Sequence, residues 1–253
     1  MKHKILLAVV ILLTFCIECV AQCVTGQQDG NDYVDLGLPG GTLWATYNVG
    51  ARKPTEYGNY YAWGEVKPYK DSIYYWPSYK FIRQHSKSLK KASDLWKECS
   101  KYICHDQYTI EDSVIWYDRN GMFIGDNLKK LQPEDDAATV NWGNGWRMPT
   151  IDEMVELIKG CNWKGTQDYN GEGVAGLLGT SKINGNTIFL PVPGYRVKGH
   201  LSYEGTMGSY WSSSLCTDLC DFAECLDINC AGYIVRYTHE RYFGYSVRAV
   251  VNK

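Results

Sequence analysis

The pattern of apolar and polar positions predicts one well-defined helix, in residues 141–160 (NWGNGWRMPTIDEMVELIKG). Thr150 is suited to the N-cap, and Glu153, three residues later, completes a capping box. Lys159 and Gly160 provide a typical helix end. The apolar positions recur at the spacing of one helical face, and they are Ile151, Met154, Val155 and Ile158. We therefore expect an amphipathic helix that packs on a sheet.

Short apolar or alternating runs, bounded by Gly, Pro and Asn turns, predict strands in the rest of the chain. These runs cover residues 33–38, 43–46, 161–163, 187–191, 210–214, 232–238 and 245–251. The last two are expected to pair with each other, joined through residues 241–244. One strong helix among short strands and Gly-, Trp- and Tyr-rich loops predicts a loop-rich α+β domain.

Residues 69–133 differ from the rest of the chain in composition, because they are polar, rich in Lys and Tyr, and poor in aliphatic runs. We interpret them as an insertion, at about 68–132, in a single domain that covers residues 33–253. A second helix is expected within residues 86–103. Its apolar stripe would be formed by Leu89, Ala92, Leu95 and Trp96.

The first residues are typical of a secretory signal peptide. A basic start precedes an apolar run over residues 5–17, and Val20-Ala21 resembles a small-residue cleavage site. We expect a signal peptide over residues 1–21, a flexible leader over residues 22–32, and an exported protein in the periplasm, at the cell surface or outside the cell. An uncleaved anchor and a lipoprotein are the alternatives, although no cysteine here follows the small residue that a lipobox requires.

The formal net charge of −2 and the lack of basic clusters argue against a nucleic-acid partner. No second apolar segment long enough to span a membrane follows Ala21, so no span is expected in the mature chain. Eight of the ten cysteines lie beyond residue 21, and an even number in an exported chain indicates disulfides. Cys99 and Cys104 could pair locally, whereas Cys216, Cys220, Cys225 and Cys230 could pair among themselves. Eight cysteines allow 105 connectivities, so the pairing stays open.

Six blocks of sequence occur in an order that resembles the Fibrobacter succinogenes major paralogous domain family of exported bacterial proteins. The blocks are YVDLGLPGGTLWATYNVGA (33–51), GNYYAWGE (58–65), PEDDAATVNWGNGWRMPT (133–150), IFLPVPGYR (188–196), GSYWSSS (208–214) and GYSVRAV (244–250). The resemblance covers about residues 33–251 and is weak over 66–132.

This resemblance implies a C-type-lectin-like fold of short twisted antiparallel strands, about two helices and long irregular loops. In that fold the N- and C-terminal strands pair, and the long-loop half binds ligands. The resemblance also implies a core position for Trp44, Trp63, Trp142, Trp146 and Trp211. It implies no established reaction, and the cysteine cluster at 216–230 departs from the family pattern.

Three candidate chemistries can be weighed from the residues. Glu134, Asp135 and Asp136 could ligate calcium, although a loop that caps and hydrogen-bonds locally explains them equally simply. No Glu-Pro-Asn or Trp-Asn-Asp motif of a calcium-dependent lectin occurs. An oxidase similar to formylglycine-generating enzyme would need thiolates that bind copper, yet closely spaced cysteines in exported proteins are usually paired. His105 beside Cys104 lacks a third group that would indicate a nucleophilic pair.

A binding surface is better motivated, because Tyr and Arg offer large contact areas with polar tips. The candidate ligand-binding residues are Tyr233, Arg236, Tyr237, His239, Arg241 and Tyr242. The alternative is that half of these side chains belong to the core. The sequence therefore predicts an exported, non-catalytic module that binds a glycan or a protein, without a cofactor unless calcium serves. A structural or fimbrial-tip subunit and a formylglycine-generating-enzyme-like oxidase are the alternatives.

Overall fold

The computed structural model describes residues 22–68, 76–82, 99–104, 116–143 and 145–253. The predicted signal peptide, the apolar stripe of the helix expected within 86–103, and His105 lie outside these residues. The described chain contains twelve short strands and two α-helices, so an α+β class with few helices is confirmed. In this part of the chain, no helix is long and apolar enough to cross a membrane.

The first sheet brings the two ends of the described chain together. Its antiparallel strands run in the order β1, β2, β3, β12, with bounds β1 Gly26–Gln28, β2 Asn31–Asp35, β3 Thr42–Ala45 and β12 Val250–Asn252. The expectation of a flexible leader over residues 22–32 is wrong, since β1 pairs with β2 in this region. Gln22 also accepts a hydrogen bond from the Phe189 backbone N–H at 2.6 Å.

Two further three-stranded antiparallel sheets and a hairpin complete the described strands. One sheet has the order β11, β10, β9, with bounds β9 Met207–Leu215, β10 Phe222–Asn229 and β11 Ile234–Glu240. The other has the order β4, β5, β6, with bounds β4 Cys161–Thr166, β5 Gly176–Ser181 and β6 Thr187–Pro191. The hairpin consists of β7 (Tyr195–Val197) and β8 (His200–Ser202).

The predicted pairing of residues 232–238 with 245–251 is wrong. β11 pairs with β10, whereas β12 pairs with β3. Between them the chain passes through the interior, where Tyr245 bridges Tyr61 and Ser246 bridges Tyr210. These contacts carry the chain from one sheet to the other, so the two segments belong to different sheets.

The predicted helix is confirmed as α2 (Ile151–Gly160), with the capping box formed by Thr150 and Glu153. Its buried residues are Ile151, Met154 and Leu157, while Val155 and Ile158 are half-buried. The short helix α1 (Ala137–Trp142) was not predicted. Within the described residues, 3₁₀ turns cover Trp76–Ser78, Pro133–Asp135 and Tyr169–Gly171.

The interior consists of two apolar clusters that meet at β10. Ala223 and Cys225 face one cluster, and Leu226 and Ile228 face the other. This follows from the alternation of side chains along a strand that is covered on both faces. The core positions of Trp44, Trp63, Trp146 and Trp211 are confirmed. Trp142 is half-buried and packs edge-on against Trp146, with ring centroids 5.1 Å apart.

Candidate functional site

Three side chains of different chemistry converge on one face of the β10–β11 hairpin. Cys225 and Asp227 are two residues apart on β10 and therefore point to the same side, which is also the side of His239 on β11. One ligand atom from each residue lies within 4.8 Å of those of the other two. His239 Nε2 is 3.1 Å from Asp227 Oδ2, and Cys225 Sγ is 3.7 Å from Asp227 Oδ1. We refer to these three residues as the Cys–Asp–His cluster.

Neighbouring groups hold the cluster in place. Ser209 on β9 donates a hydrogen bond from Oγ to Asp227 Oδ1 at 2.7 Å. The ring of Tyr245 meets the His239 imidazole edge-on, with centroids 5.2 Å apart. The Tyr245 hydroxyl is buried near the Ser209 side chain, although it makes no hydrogen bond of standard geometry.

Burial dominates the electrostatics of the cluster. It raises the pKa of the Cys225 thiol well above its usual value, and the Asp227 and Glu224 carboxylates add to that rise. It also raises the pKa of Tyr245, with Cys225 and Asp227 contributing and Ser209 partly offsetting the effect. Both groups are therefore protonated at neutral pH unless a cation is nearby.

A continuous series of ring contacts extends from His239 across the surface. The imidazole stacks on Phe243 at 5.9 Å and lies 4.9 Å from the Tyr237 ring. Phe243 stacks on Tyr195 at 6.0 Å, and Tyr195 stacks on Tyr203 at 5.6 Å. Tyr203 and Tyr237 are 57% and 53% exposed, so both ends of the series face solvent. We name Tyr195, Tyr203, Tyr237 and Phe243 the aromatic patch.

The structure places the six predicted ligand-binding residues in three different environments. Tyr237 and His239 share the face of the Cys–Asp–His cluster, and Tyr233 is exposed just before β11. Arg236 points to the opposite face, where its guanidinium pairs with the buried Glu224 carboxylate at 2.5 and 2.9 Å. These residues therefore do not form one surface.

Arg241 and Tyr242 are corrections to the prediction, since both are buried. β11 ends at Glu240, and the chain then turns into the core. The Arg241 guanidinium lies over the Trp63 ring, 5.7 Å from its centroid, and donates to the Lys101 carbonyl at 3.2 Å. A ligand at the surface would not contact these two side chains.

Glu134, Asp135 and Asp136 lie in a loop that caps a helix and forms local ion pairs, which was the alternative to a calcium site. Asp135 pairs with Lys80 and Lys101, each at 2.5 Å, and Glu134 also pairs with Lys101 at 3.0 Å. Asp136 caps α1 through the backbone N–H groups of residues 138 and 139. Since these oxygens are engaged by separate partners, Glu134, Asp135 and Asp136 do not converge on a calcium position. Among the described residues, only the Cys–Asp–His cluster offers converging metal ligands.

No disulfide joins the eight cysteines of the described chain, so the predicted pairings stay predictions. Cys99 and Cys220 lie in the same apolar cluster and both influence the pKa of the Arg241 guanidinium. This proximity was not indicated by the spacing of the cysteines. Cys225 takes part in the Cys–Asp–His cluster, whereas Cys216 and Cys220 lie at the β9–β10 connection.

Sequence reasoning found His239 and Tyr237, and it considered Cys225 as one of four thiolates that could bind copper, but it missed Asp227 and the remaining rings of the patch. The spacing of Cys225 and Asp227 in a strand was a usable signal, because residues i and i+2 share a face. No family model, curated protein or solved structure matches this chain. The function is therefore argued from the geometry of the site.

Proposed function

We propose that this protein is a non-catalytic binding module that recognises a glycan through the aromatic patch and the adjoining His239 and Asp227. The observation that carries this proposal is the unbroken series of ring contacts from Tyr203 to Tyr237, beside a hydrogen-bonded imidazole and carboxylate. A sugar ring has an apolar C–H face and a rim of hydroxyls. Tyrosine rings cover such a face at low entropic cost, and the imidazole and carboxylate bind hydroxyls.

The exposure of the patch supports binding over a purely structural role. Tyr203 and Tyr237 are more than half exposed, and the partly buried Tyr195 and Phe243 lie between them. Contiguous exposed aromatic side chains are typical of interaction surfaces, whereas scattered ones need no explanation. The rings are supplied by separate segments: Tyr195 and Tyr203 by the β7–β8 hairpin and its exit, Tyr237 by β11, and Phe243 by the turn after it. Their convergence therefore depends on the tertiary structure.

A C-type-lectin-like architecture and export to the cell surface belong to the same proposal. The pairing of β12 with β3 supports this architecture, because it unites the two ends of the domain as that fold does. Membership of the Fibrobacter succinogenes major paralogous domain family rests on the order of the sequence blocks.

A protein ligand is the second candidate, and one observation favours it. Within the described chain, β11 is an edge strand of its sheet, with Tyr237 exposed on it and Tyr233 exposed just before it. An edge strand with exposed aromatic side chains can accept a peptide as an additional strand.

The test is a glycan array probed with the purified protein, followed by affinity measurements on the best sugar. We expect Tyr237→Ala and Tyr203→Ala each to weaken binding about tenfold, the equivalent of one ring stack of about 1.4 kcal/mol. Arg236 is retained in all variants because its loss would leave Glu224 buried and unpaired. The control is Ile183→Ala in the β5–β6 turn, which removes an apolar side chain that is 58% exposed and outside the patch.

Sugar binding that both tyrosine variants leave unchanged would place the ligand elsewhere on the molecule. An array without any bound sugar would count against a glycan ligand. In that case, a peptide library selected on the same protein would test the edge of β11.

A further inference from the structure

We propose that Cys225, Asp227 and His239 form a binding site for a zinc ion, with one coordination position left open to solvent. This inference goes beyond the proposed function, since it does not require that a glycan binds. The proposed zinc site also differs from the calcium site that Glu134, Asp135 and Asp136 could have formed, because its ligand atoms are sulfur, nitrogen and oxygen. These are the donor types that zinc combines, whereas calcium takes six to eight oxygens.

The separations between the ligand atoms fit a tetrahedral ion. Zn–N, Zn–O and Zn–S bonds of the usual lengths place tetrahedral ligands about 3.3–3.6 Å from each other. In the structure His239 Nε2 is 3.1 Å from Asp227 Oδ2, and Cys225 Sγ is 3.7 Å from the other carboxylate oxygen, Oδ1. One of the two oxygens would be the ligand. Since one ligand atom from each residue lies within 4.8 Å of the other two, adjustments of about 1.2 Å or less would complete the geometry.

The surroundings have the features of a supported metal site. Ser209 holds the Asp227 carboxylate by a 2.7 Å hydrogen bond, as outer-shell partners orient metal ligands in proteins. Cys225 and Asp227 are fixed on a paired strand in the middle of a sheet, which limits their movement. The Tyr245 ring packs edge-on against His239 and so limits the movement of the imidazole.

The exposure of the ligands leaves the fourth position on the solvent side. The Cys225 side chain is buried, whereas the side chains of Asp227 and His239 are 15% and 25% exposed. Three protein ligands and one open position distinguish this site from closed structural zinc sites with four protein ligands. The open position faces the same surface as the Tyr237 ring.

The experiment is a cobalt titration of the reduced, chelator-treated protein, with zinc added afterwards. We expect one equivalent of Co²⁺ to produce a thiolate-to-cobalt charge-transfer band and the visible absorption of tetrahedral cobalt. Zn²⁺ should then remove both. Cys225→Ser should abolish the charge-transfer band. Loss of an outer-shell partner typically weakens metal affinity roughly 10- to 100-fold. Asp227→Asn and His239→Gln each remove a direct ligand, so each should weaken zinc binding by more than that.

Two matched controls separate this site from unspecific metal binding. His200→Gln removes an exposed histidine on β8, and Cys230→Ser removes a half-buried cysteine just after β10. Both should leave the cobalt spectrum and the zinc affinity unchanged. Circular dichroism and thermal melting of each variant in the absence of metal establish that it is folded.

If Cys225→Ser does not fold, the charge-transfer band of the wild-type protein still reports a thiolate ligand. Its loss in folded Asp227→Asn and His239→Gln variants, and its retention in Cys230→Ser, then assign it to this site. Absence of the charge-transfer band in the wild type, its persistence in a folded Cys225→Ser variant, or a disulfide at Cys225 in the native protein would each overturn the proposal. Failure of the glycan array would leave this result untouched, since the titration contains no sugar.

Discussion

Glu153 ties the start of α2 to the sheet that unites the chain ends, and we predict that Glu153→Gln strongly destabilises the protein. Its carboxylate accepts hydrogen bonds from Arg147 at 2.5 and 2.7 Å, from the Thr150 N–H at 2.7 Å and from the Thr42 hydroxyl at 3.0 Å. Arg147 in turn pairs its backbone with Val250 of β12 at 2.9 and 3.0 Å. One carboxylate therefore connects a helix, a loop and two strands.

The magnitude follows from the pKa of the carboxyl group. Burial alone would raise this pKa, but the hydrogen bonds from Arg147 and Thr150 outweigh it and lower the pKa of Glu153 from 4.5 to about 2. A displacement of that size corresponds to about 3 kcal/mol of stability. Because the side chain is 18% exposed, solvent screening reduces this figure to about 2 kcal/mol. Since the pKa is lowered on folding, the stabilisation is present above pH 4.5 and is lost as the pH falls towards 2.

Urea unfolding of both proteins between pH 7 and pH 2 checks this reasoning. The difference in free energy of unfolding should be about 2 kcal/mol at pH 7 and should shrink steadily below pH 4.5. Asp152→Asn is the matched control, because it also neutralises a carboxylate in the first turn of α2, but at an exposed position. Equal stability of the two variants at pH 7, or a deficit of Glu153→Gln that is the same at low pH, would contradict this prediction.

Three further predictions concern stability. Asp136→Ala should cost about 2–4 kcal/mol in urea unfolding, because its buried carboxylate caps α1 and accepts from the Met148 N–H at 2.8 Å; a loss below 1 kcal/mol would contradict this. Calcium should raise the melting temperature by less than about 1 °C, because Asp135 is already paired with two lysines; a rise of several degrees would refute it. Gly194→Ala should cost about 2–3 kcal/mol, since φ is +68° and a Cβ would lie 2.3 Å from a carbonyl oxygen. Gly185→Ala, with φ +77° and open space, should cost only about 1 kcal/mol in the same assay.

Local signals were sufficient to predict the elements that depend on local interactions. The capping box at Thr150 and Glu153 marked the start of α2, and the strand over residues 187–191 was predicted with its observed bounds. In both cases the information lies within a few residues of the chain. The partner of a strand is a non-local property, so residues 245–251 were assigned to the wrong sheet.

The same limit applies to the candidate site. Tyr237 and His239 were recognised because aromatic and basic side chains cluster in the sequence near them. Arg241 was included for the same reason, although β11 ends one residue before it and its side chain enters the core. Asp227 was missed because its role depends on the β10–β11 register, and sequence alternation alone does not fix that register.

His239 belongs to both proposed sites, and this couples them. Its Nε2 atom faces Asp227, and its ring contacts Tyr237 and Phe243. A zinc ion on His239 and Asp227 would take these two groups from the sugar hydroxyls, and its open coordination position would then accept a hydroxyl in their place. It would also order the two rings on either side of the imidazole, so less entropy would be lost when a sugar binds. Coupling between two equilibria is reciprocal, so zinc must strengthen sugar binding by the same factor as the sugar strengthens zinc binding. The test is to measure the affinity for zinc with and without the sugar, and the affinity for the sugar with and without zinc. Equal factors above one would support a shared imidazole, and a factor of one would show that the rings are already ordered without the metal.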